Sequence, residues 1–411
     1  MKIAYFLPEF PKLNQPFVTG QIREMARLGH EITIYAPKAP PDAFDQHDYE
    51  ELSHLWVEQP TPGASRMTRT LEGCKAVPMS LLMAPSMTVK ALNPFRFGRY
   101  ALSFSLLQAM KPLRSPKRFD AIHCQFGPSG VFAAMLKSIG AVSGPLITTF
   151  HGHDVTRYPL EQGKNVYDRL FEVGVRFLGL DPVMADRLKA LGAPEHKVMV
   201  HPLGAIPDDF PHRDWPEPPN DSLRVLSVGR LVEKKGFADG IKAVAALRRS
   251  GVNIRYEIAG DGPLQGELEA LIDELDASDA VELLGPVDHN DISKRLEMAD
   301  LALVPSVRAR DGDEEGTPTV IVEAMATGRP VVATRHAGIP FQIEHGVNGL
   351  LVPEHAPDEL AEAIAQFVDP EIRQRIGANG RQVYESRFCL RTLTRKLEGI
   401  YTSVAEDSEE G

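Results

Sequence analysis

Cysteine is scarce in this chain. Its 411 residues hold three, Cys74, Cys124 and Cys389, widely separated and odd in number. No Cys-x-x-Cys pair or Cys/His cluster occurs, so neither a disulfide framework nor a structural zinc site is indicated. Long apolar runs are missing too. The richest internal stretch, around Met79 to Val89, is broken by Pro78, Pro85 and Lys90, and nothing approaches the roughly 20 apolar residues of a membrane span. The opening Met1-Lys2-Ile3-Ala4-Tyr5-Phe6-Leu7-Pro8 is too short for a signal peptide and reads as a first strand. A soluble protein of a reducing compartment is the expectation, in the cytoplasm or at the inner face of the cytoplasmic membrane. Neither a GxxxxGK[ST] phosphate loop nor a GxSxG nucleophile elbow is present. The nearest approach to a dinucleotide fingerprint, Gly260-Asp261-Gly262-Pro263-Leu264-Gln265, lacks its third glycine and reads as a strand-to-helix turn.

An excess of positive charge is also lacking. Lys and Arg total 45 against 56 Asp and Glu, a formal net of −11, which excludes a wholesale nucleic-acid binder. The average hides a polarity. Between Gly63 and Phe119 stand ten basic residues (Arg66, Arg69, Lys75, Lys90, Arg96, Arg99, Lys111, Arg114, Lys117, Arg118) and one acid, Glu72, so this segment carries +9 and the remainder −20.

Short β-rich runs alternate with helical patterns in two series, which predicts parallel sheets covered by helices. The first series has strands at Lys2–Leu7, Glu31–Ala36, Ala121–Gln125, Leu146–Phe150, Val175–Leu180 and Val198–His201, with helices such as Pro16–Leu28 and Pro182–Leu191 between. The second has Arg224–Val228, Arg255–Ala259, Val281–Leu284, Leu301–Pro305, Val331–Ala333 and Gly349–Val352. A Pro/Asp-rich stretch separates them. The predicted organisation is an α/β chain of two facing, doubly wound Rossmann-like domains, 1–205 and 222–370, joined by a linker at 206–221. A helical tail, 371–411, has no sheet of its own and should pack back on the first domain. In such sheets ligands bind beyond the carboxyl ends of the strands, and a cleft between two such domains is the default active site.

The turn Gly229-Arg230-Leu231-Val232-Glu233-Lys234-Lys235-Gly236 ends a strand with two cations. Arg offers a planar fork and Lys a point charge, a pair suited to a diphosphate. Lysines at a helix start would otherwise be disfavoured. The segment Glu315-Gly316-Thr317-Pro318-Thr319-Val320-Ile321-Val322-Glu323 places one acid before a helix and one within it, because Pro318 suits a first turn. Free N–H groups at Thr319 and Val320 would cradle an anion. The loop Asp311-Gly312-Asp313-Glu314-Glu315-Gly316 nearly matches a calcium loop but has Val322 where the bidentate Glu belongs. Asp311 and Asp313 have the spacing of a sugar-nucleotide metal pair; a solvated loop is favoured over either metal.

Together these motifs resemble the GT4-type retaining glycosyltransferases, which have the GT-B fold, and the resemblance spans nearly the whole chain. It rests on Lys12-Leu13-Asn14-Gln15-Pro16-Phe17-Val18, Gly29-His30-Glu31-Ile32, Phe150-His151-Gly152-His153-Asp154, Ser227–Leu231, Ala259–Leu264, Leu284-Gly285-Pro286-Val287, the Glu-x7-Glu element and His336-Ala337-Gly338-Ile339-Pro340. Asp313-x-Glu315-Gly316 and Gly338-Ile339-Pro340 are similar to exopolysaccharide, colanic-acid-type transferases. The resemblance implies that Arg230 and Lys235 bind the donor diphosphate, that Glu323 holds the ribose hydroxyls and that Glu315 contacts the donor sugar. Thr319 and Val320 would meet the β-phosphate, with Gly316 and Val287 also on the donor. His151 corresponds to a histidine near the transferred sugar, and Asn14, Gln15 and Phe17 to an acceptor-side loop. At Val200-His201-Pro202-Leu203-Gly204 the chain departs from the Asn-Gly turn of many relatives.

The expected reaction moves a sugar from a UDP- or GDP-sugar, with retention and without a metal or other cofactor, to a glycan or lipid-linked acceptor in cell-surface polysaccharide synthesis. Two other classes are open: a non-catalytic nucleotide-binding scaffold and a GT-B-fold epimerase. For residues 63–119, docking on an anionic membrane stands beside an ordinary helical insertion whose cations face solvent. Met79, Leu81, Leu82, Met83, Phe95, Phe97, Tyr100 and Phe104 interleave its cations.

Overall fold

The computed structural model describes residues 1–12, 15–59, 66–110, 113, 115–212, 215 and 222–408, without the side chains of 66–70, 72, 289 and 290. The chain divides into two compact units. The first comprises Met1–Gly179, Ala185–His201 and Thr394–Gly411, the second Leu180–Met184 and Pro202–Leu393.

In the first unit the strands are β1 (Lys2–Phe6), β2 (Glu31–Ala36), β3 (Trp56–Glu58), β4 (Ala121–Gln125), β5 (Leu146–Thr149), β6 (Arg176–Gly179) and β7 (Val198–Val200). They form one parallel sheet in the order β3-β2-β1-β4-β5-β6-β7. The central strands β4 and β5 are buried along their whole length, the signature of parallel strands covered on both faces. The sequence pattern missed β3, a three-residue, half-exposed edge strand too short to show alternation. Helix α1 (Pro16–Arg27) has proline at its first position and turns Val18, Ile22 and Met25 inward at helical spacing.

The basic segment is mostly helical where described, and its last two cations, Lys117 and Arg118, form a short strand parallel to Val142–Ser143. Helices α2 (Arg66–Met83) and α3 (Pro85–Ala91) are followed by short turns at Pro94–Phe97, Arg99–Leu102 and Ser105–Ala109. Lys111 and Arg114 lie outside the described residues. One expectation needs correcting. Phe97 is buried, its ring beneath the Arg169 guanidinium at 4.8 Å, so it is core rather than part of an exposed face. Met79, Leu81, Leu82, Met83 and Phe95 are exposed.

The second unit holds β8 (Leu223–Val228), β9 (Ile254–Ala259), β10 (Val281–Gly285), β11 (Leu301–Val304), β12 (Val331–Thr334) and β13 (Leu350–Val352), all parallel in the order β10-β9-β8-β11-β12-β13. Strand order reverses at β8, so the loops after β8 and β11 diverge there. Helix α4 (Phe237–Arg249) follows β8, and α5 (Thr319–Ala326) follows β11. From the linker stretch, Trp215 lies against the buried Arg329 guanidinium, 4.2 Å from ring centre to carbon.

The tail is shared. Helix α6 (Pro370–Val383) packs on α5 within the second unit. Helix α7 (Leu390–Asp407) starts there and runs into the first unit, where Leu397, Tyr401 and Val404 join Ile3, Tyr5, Ile22 and Ile147 in one core. Among the described residues no helix is long and apolar enough to cross a membrane.

Candidate active site

In the second unit the site grows from two loops. Strand β8 ends at Val228, and Gly229 through Gly236 turn back to start α4. Gly236 has φ +65, and a Cβ there would lie 1.8 Å from the Pro305 carbonyl oxygen after β11, so only glycine lets the loops close. A Cβ on Gly229 would meet the Lys235 side chain at 2.9 Å. The absent side chain leaves the path along which Lys235 crosses the turn.

Lys235 reaches the other loop. Its Nζ lies 2.6 Å from Glu315 Oε2, with both side chains largely buried. Burial pushes the Glu315 carboxyl up, but Lys235 and Lys234 outweigh it and hold the group below its ordinary range. The adjacent Lys234 lies 3.3 Å from Asp313 and donates to the Glu314 carbonyl at 3.4 Å. Two cations that would be unfavourable at a helix start are thus offset by the acidic loop. Arg230 is exposed and makes no ion pair among the described residues.

The acidic loop is tied to protein groups rather than merely solvated. Asp311 accepts from the Asp313 amide at 2.9 Å, and Arg308 lies 3.4 Å from Glu314. Among the described residues no group of three or more His, Cys, Asp or Glu could hold a metal ion.

Helix α5 begins one residue later than the proline rule implied. Pro318 is its N-cap, with extended backbone. The amides of Thr319 and Val320 open the first turn, where no intrahelical acceptor exists, and the helix dipole adds partial positive charge there. Glu323 lies inside the same helix and is buried. Gly316 precedes the helix, and Val287, after β10, packs on the cluster containing Val320 and Ile321. The structure therefore brings Lys235 and Glu315 into contact on loops that meet at the sheet's switch point, with Gly316, Thr319, Val320 and Glu323 following in the same segment.

His151, after β5 in the first unit, is buried. Its Nε2 lies 2.9 Å from the Gln125 amide oxygen, so it must donate, leaving Nδ1 to accept from the Asp154 amide in a capping box. Burial pushes its pKa down to about 3, so it stays neutral. Asp154 accepts from the Gly127 and His151 amides, and burial nevertheless pushes it up to about 7. The Phe17 ring centre lies 5.4 Å from the His151 ring, so two predicted residues meet here. Gln15 caps α1; Asn14 lies outside the described residues.

Four participants were given no role in the sequence reading. Gln125 had no motif to mark it. Lys234 was masked by its neighbour. His336 and Glu354 form a pair at 2.8 Å beside Glu315, and Glu354 carries no local signal.

Comparison with known proteins agrees with this architecture. Residues 15–204 match the family described as glycosyl transferase 4-like domain, and residues 209–383 match glycosyl transferases group 1. The chain is 33% identical, over 98% of its length and 100% of the relative's, to a Salmonella typhimurium protein provisionally named colanic acid biosynthesis glycosyltransferase WcaL. It is 33% identical to the amylovoran biosynthesis glycosyltransferase AmsK of Erwinia amylovora, over 90% of this chain and 91% of that one. Among solved structures, Anabaena HepE in complex with UDP superposes with a TM-score of 0.70 at 19% identity, covering 98% of this chain and all of that one. With parallel sheets of the GT-B kind and full-length relatives of this type, the chain belongs to the GT4-type glycosyltransferases.

Proposed function

We propose that the protein is a retaining hexosyltransferase that moves a sugar from a UDP- or GDP-sugar to a growing glycan on a lipid-linked acceptor, without a metal. One observation carries this: the Lys235–Glu315 ion pair at the switch point, beside exposed Arg230 and the first turn of α5. A donor diphosphate replaces Glu315 as the anion on Lys235, and the freed carboxylate turns to the sugar. Glu323 takes the ribose hydroxyls. The bond from the anomeric carbon to the β-phosphate oxygen breaks, and its electron pair stays on the diphosphate. Lys235, Arg230 and the Thr319 and Val320 amides stabilise that growing charge in place of a metal ion. The acceptor hydroxyl bonds to the anomeric carbon on the same face and gives its proton to the β-phosphate. The complex of HepE with UDP supports uridine as the nucleotide, and the WcaL and AmsK names support exopolysaccharide synthesis.

Product analysis tests this reading. The protein is incubated with UDP- and GDP-sugars and a lipid-linked saccharide in EDTA. A new glycoside of unchanged anomeric configuration is expected. An altered free sugar nucleotide means an epimerase, and binding without turnover means a scaffold.

A lipid-linked acceptor is supported by the basic segment. Eight of the sixteen large apolar side chains exposed among the described residues fall between Leu71 and Leu102. Lys75, Lys90, Arg96 and Arg99 are exposed among them, and no acid occurs from Gly73 to Phe119. Cations interleaved with exposed Leu82 and Phe95 complement an anionic bilayer. This favours action at the cytoplasmic face of the membrane. Co-sedimentation with vesicles containing phosphatidylglycerol, weakened by salt, is expected; equal binding to purely zwitterionic vesicles contradicts it.

A further inference from the structure

His336 lies just beyond β12 and is 2% exposed. Its Nε2 is 3.0 Å from the backbone nitrogen of Glu315, and its Nδ1 is 2.8 Å from Glu354 Oε1. A backbone N–H only donates, so Nε2 must present its lone pair. The ring proton therefore sits on Nδ1 and is donated to Glu354. The other oxygen of that carboxylate, Oε2, accepts from the Arg308 backbone N–H at 2.8 Å. One carboxylate thus ties both ends of the loop from Arg308 to Glu315, directly at its start and through the imidazole at its end. Neither His336 nor Glu354 touches Lys235. Their hold is on the backbone of the residue that does.

We infer that the Glu354–His336 pair is a positioning device that fixes the Glu315 backbone, so that its carboxylate is aimed at the Lys235 ammonium and, after donor binding, at the sugar. The inference rests on the transferase reading above for the identity of the sugar. Its structural half stands without it. The pair needs the neutral Nδ1–H tautomer. Asparagine or leucine would not span the same gap, but a glutamine amide offers one acceptor and one donor. A glutamine at position 354 keeps one accepting oxygen, and because Arg308 and His336 use different oxygens of the carboxylate, one of them would face the amide NH2 instead.

Three variants test this: His336→Leu, His336→Gln and Glu354→Gln. For His336→Leu, kcat should fall about 100-fold, the cost of misplacing a reacting group by about an ångström. UDP affinity, set by Arg230, Lys235 and the α5 amides, should stay within about threefold, a small fraction of the binding energy. His336→Gln should recover most of kcat, and Glu354→Gln should fall between. Equal losses of kcat and UDP affinity, or unchanged kcat in His336→Leu, would overturn the positioning role. A second readout needs no turnover. Long-range proton–nitrogen spectra of the histidine-labelled protein, with His336 assigned by difference from His336→Gln, should show Nδ1 protonated and Nε2 bare. An Nε2-protonated ring would overturn the inference even if sugar transfer is confirmed. An Nδ1-protonated ring in a protein that makes no glycoside would refute the transferase reading alone.

Discussion

The two units tie their sheets and the segments packed on them with different chemistry. In the first unit buried neutral groups predominate, His151 on Gln125, His123 on Thr149 at 2.8 Å and on Tyr401, and Tyr5 on Tyr401 at 3.0 Å, beside the Asp154 carboxyl on the Gly127 and His151 amides and a Lys12–Glu9 ion pair at 2.7 Å. In the second unit charge predominates: Lys235 pairs with Glu315 and Lys234 with Asp313, and the Glu354 carboxylate accepts from the neutral His336 ring. Under the proposed function, a diphosphate would enter by replacing one anion with another on Lys235 rather than by charging an empty pocket. The desolvation of Lys235 is already offset before the ligand arrives.

The largest effect that would break this contrast is on Lys235. Lys235→Met should lower kcat by about 1,000-fold, the scale of losing a preorganised charge at the transition state. The contact with Glu315 adds a consequence that sequence alone does not give. The single variant leaves a largely buried carboxylate unpaired and should lower Tm, whereas Lys235→Met with Glu315→Gln should recover Tm but not activity. Calorimetric scans and initial rates check both. A double variant no more stable than the single would show that the pair does not carry local stability.

Next in size is the basic face. Replacing Leu82 and Phe95 by glutamate should reduce binding to anionic vesicles by about tenfold or more, since each apolar side chain and each altered charge is worth on the order of 1 kcal/mol at a surface. Turnover of a water-soluble acceptor should be unchanged. Parallel loss of both would place these residues in the acceptor site instead.

The smallest effect is acid sensitivity of the first unit. Burial pushes His123 and His151 down to about 3 and His201 to about 4. These imidazoles are neutral when folded but protonate below about 6.5 when unfolded. Their stabilisation is therefore complete above 6.5 and lost as pH falls. Asp48, raised to about 6, and Asp154, raised to about 7, act oppositely because they bind protons in the folded state first. Three against two leaves about one proton taken up on unfolding near pH 5, a loss of about 1.4 kcal/mol per pH unit. In the second unit Glu315 and Glu354, both held low, contribute fully above their ordinary range and lose that contribution only as pH falls below it. Hydrogen exchange between pH 6 and 4 should show the first unit opening before the second.

Much of this was legible in the sequence because parallel strands buried on both faces read as apolar runs bounded by glycine and proline. Glu31–Ala36 and Ala121–Gln125 stand as read. Arg230, Lys235, Thr319 and Glu323 were marked by chemistry unusual for their position. What escaped depends on long-range contact. Glu354 meets Arg308 only through the sheet, Phe97 turns inward because Arg169 covers it, and the tail divides because Tyr401 finds the Tyr5 hydroxyl. No local pattern encodes those meetings.

The most direct test of the exchange of anions on Lys235 is calorimetric titration of UDP and GDP, in EDTA, into the native protein and Lys235→Met. The native protein should bind one of the two, and the variant should bind it about 10- to 100-fold more weakly, the value of a hydrogen bond to a charged group. Equal affinity in the two proteins would contradict the assignment of the diphosphate to this site.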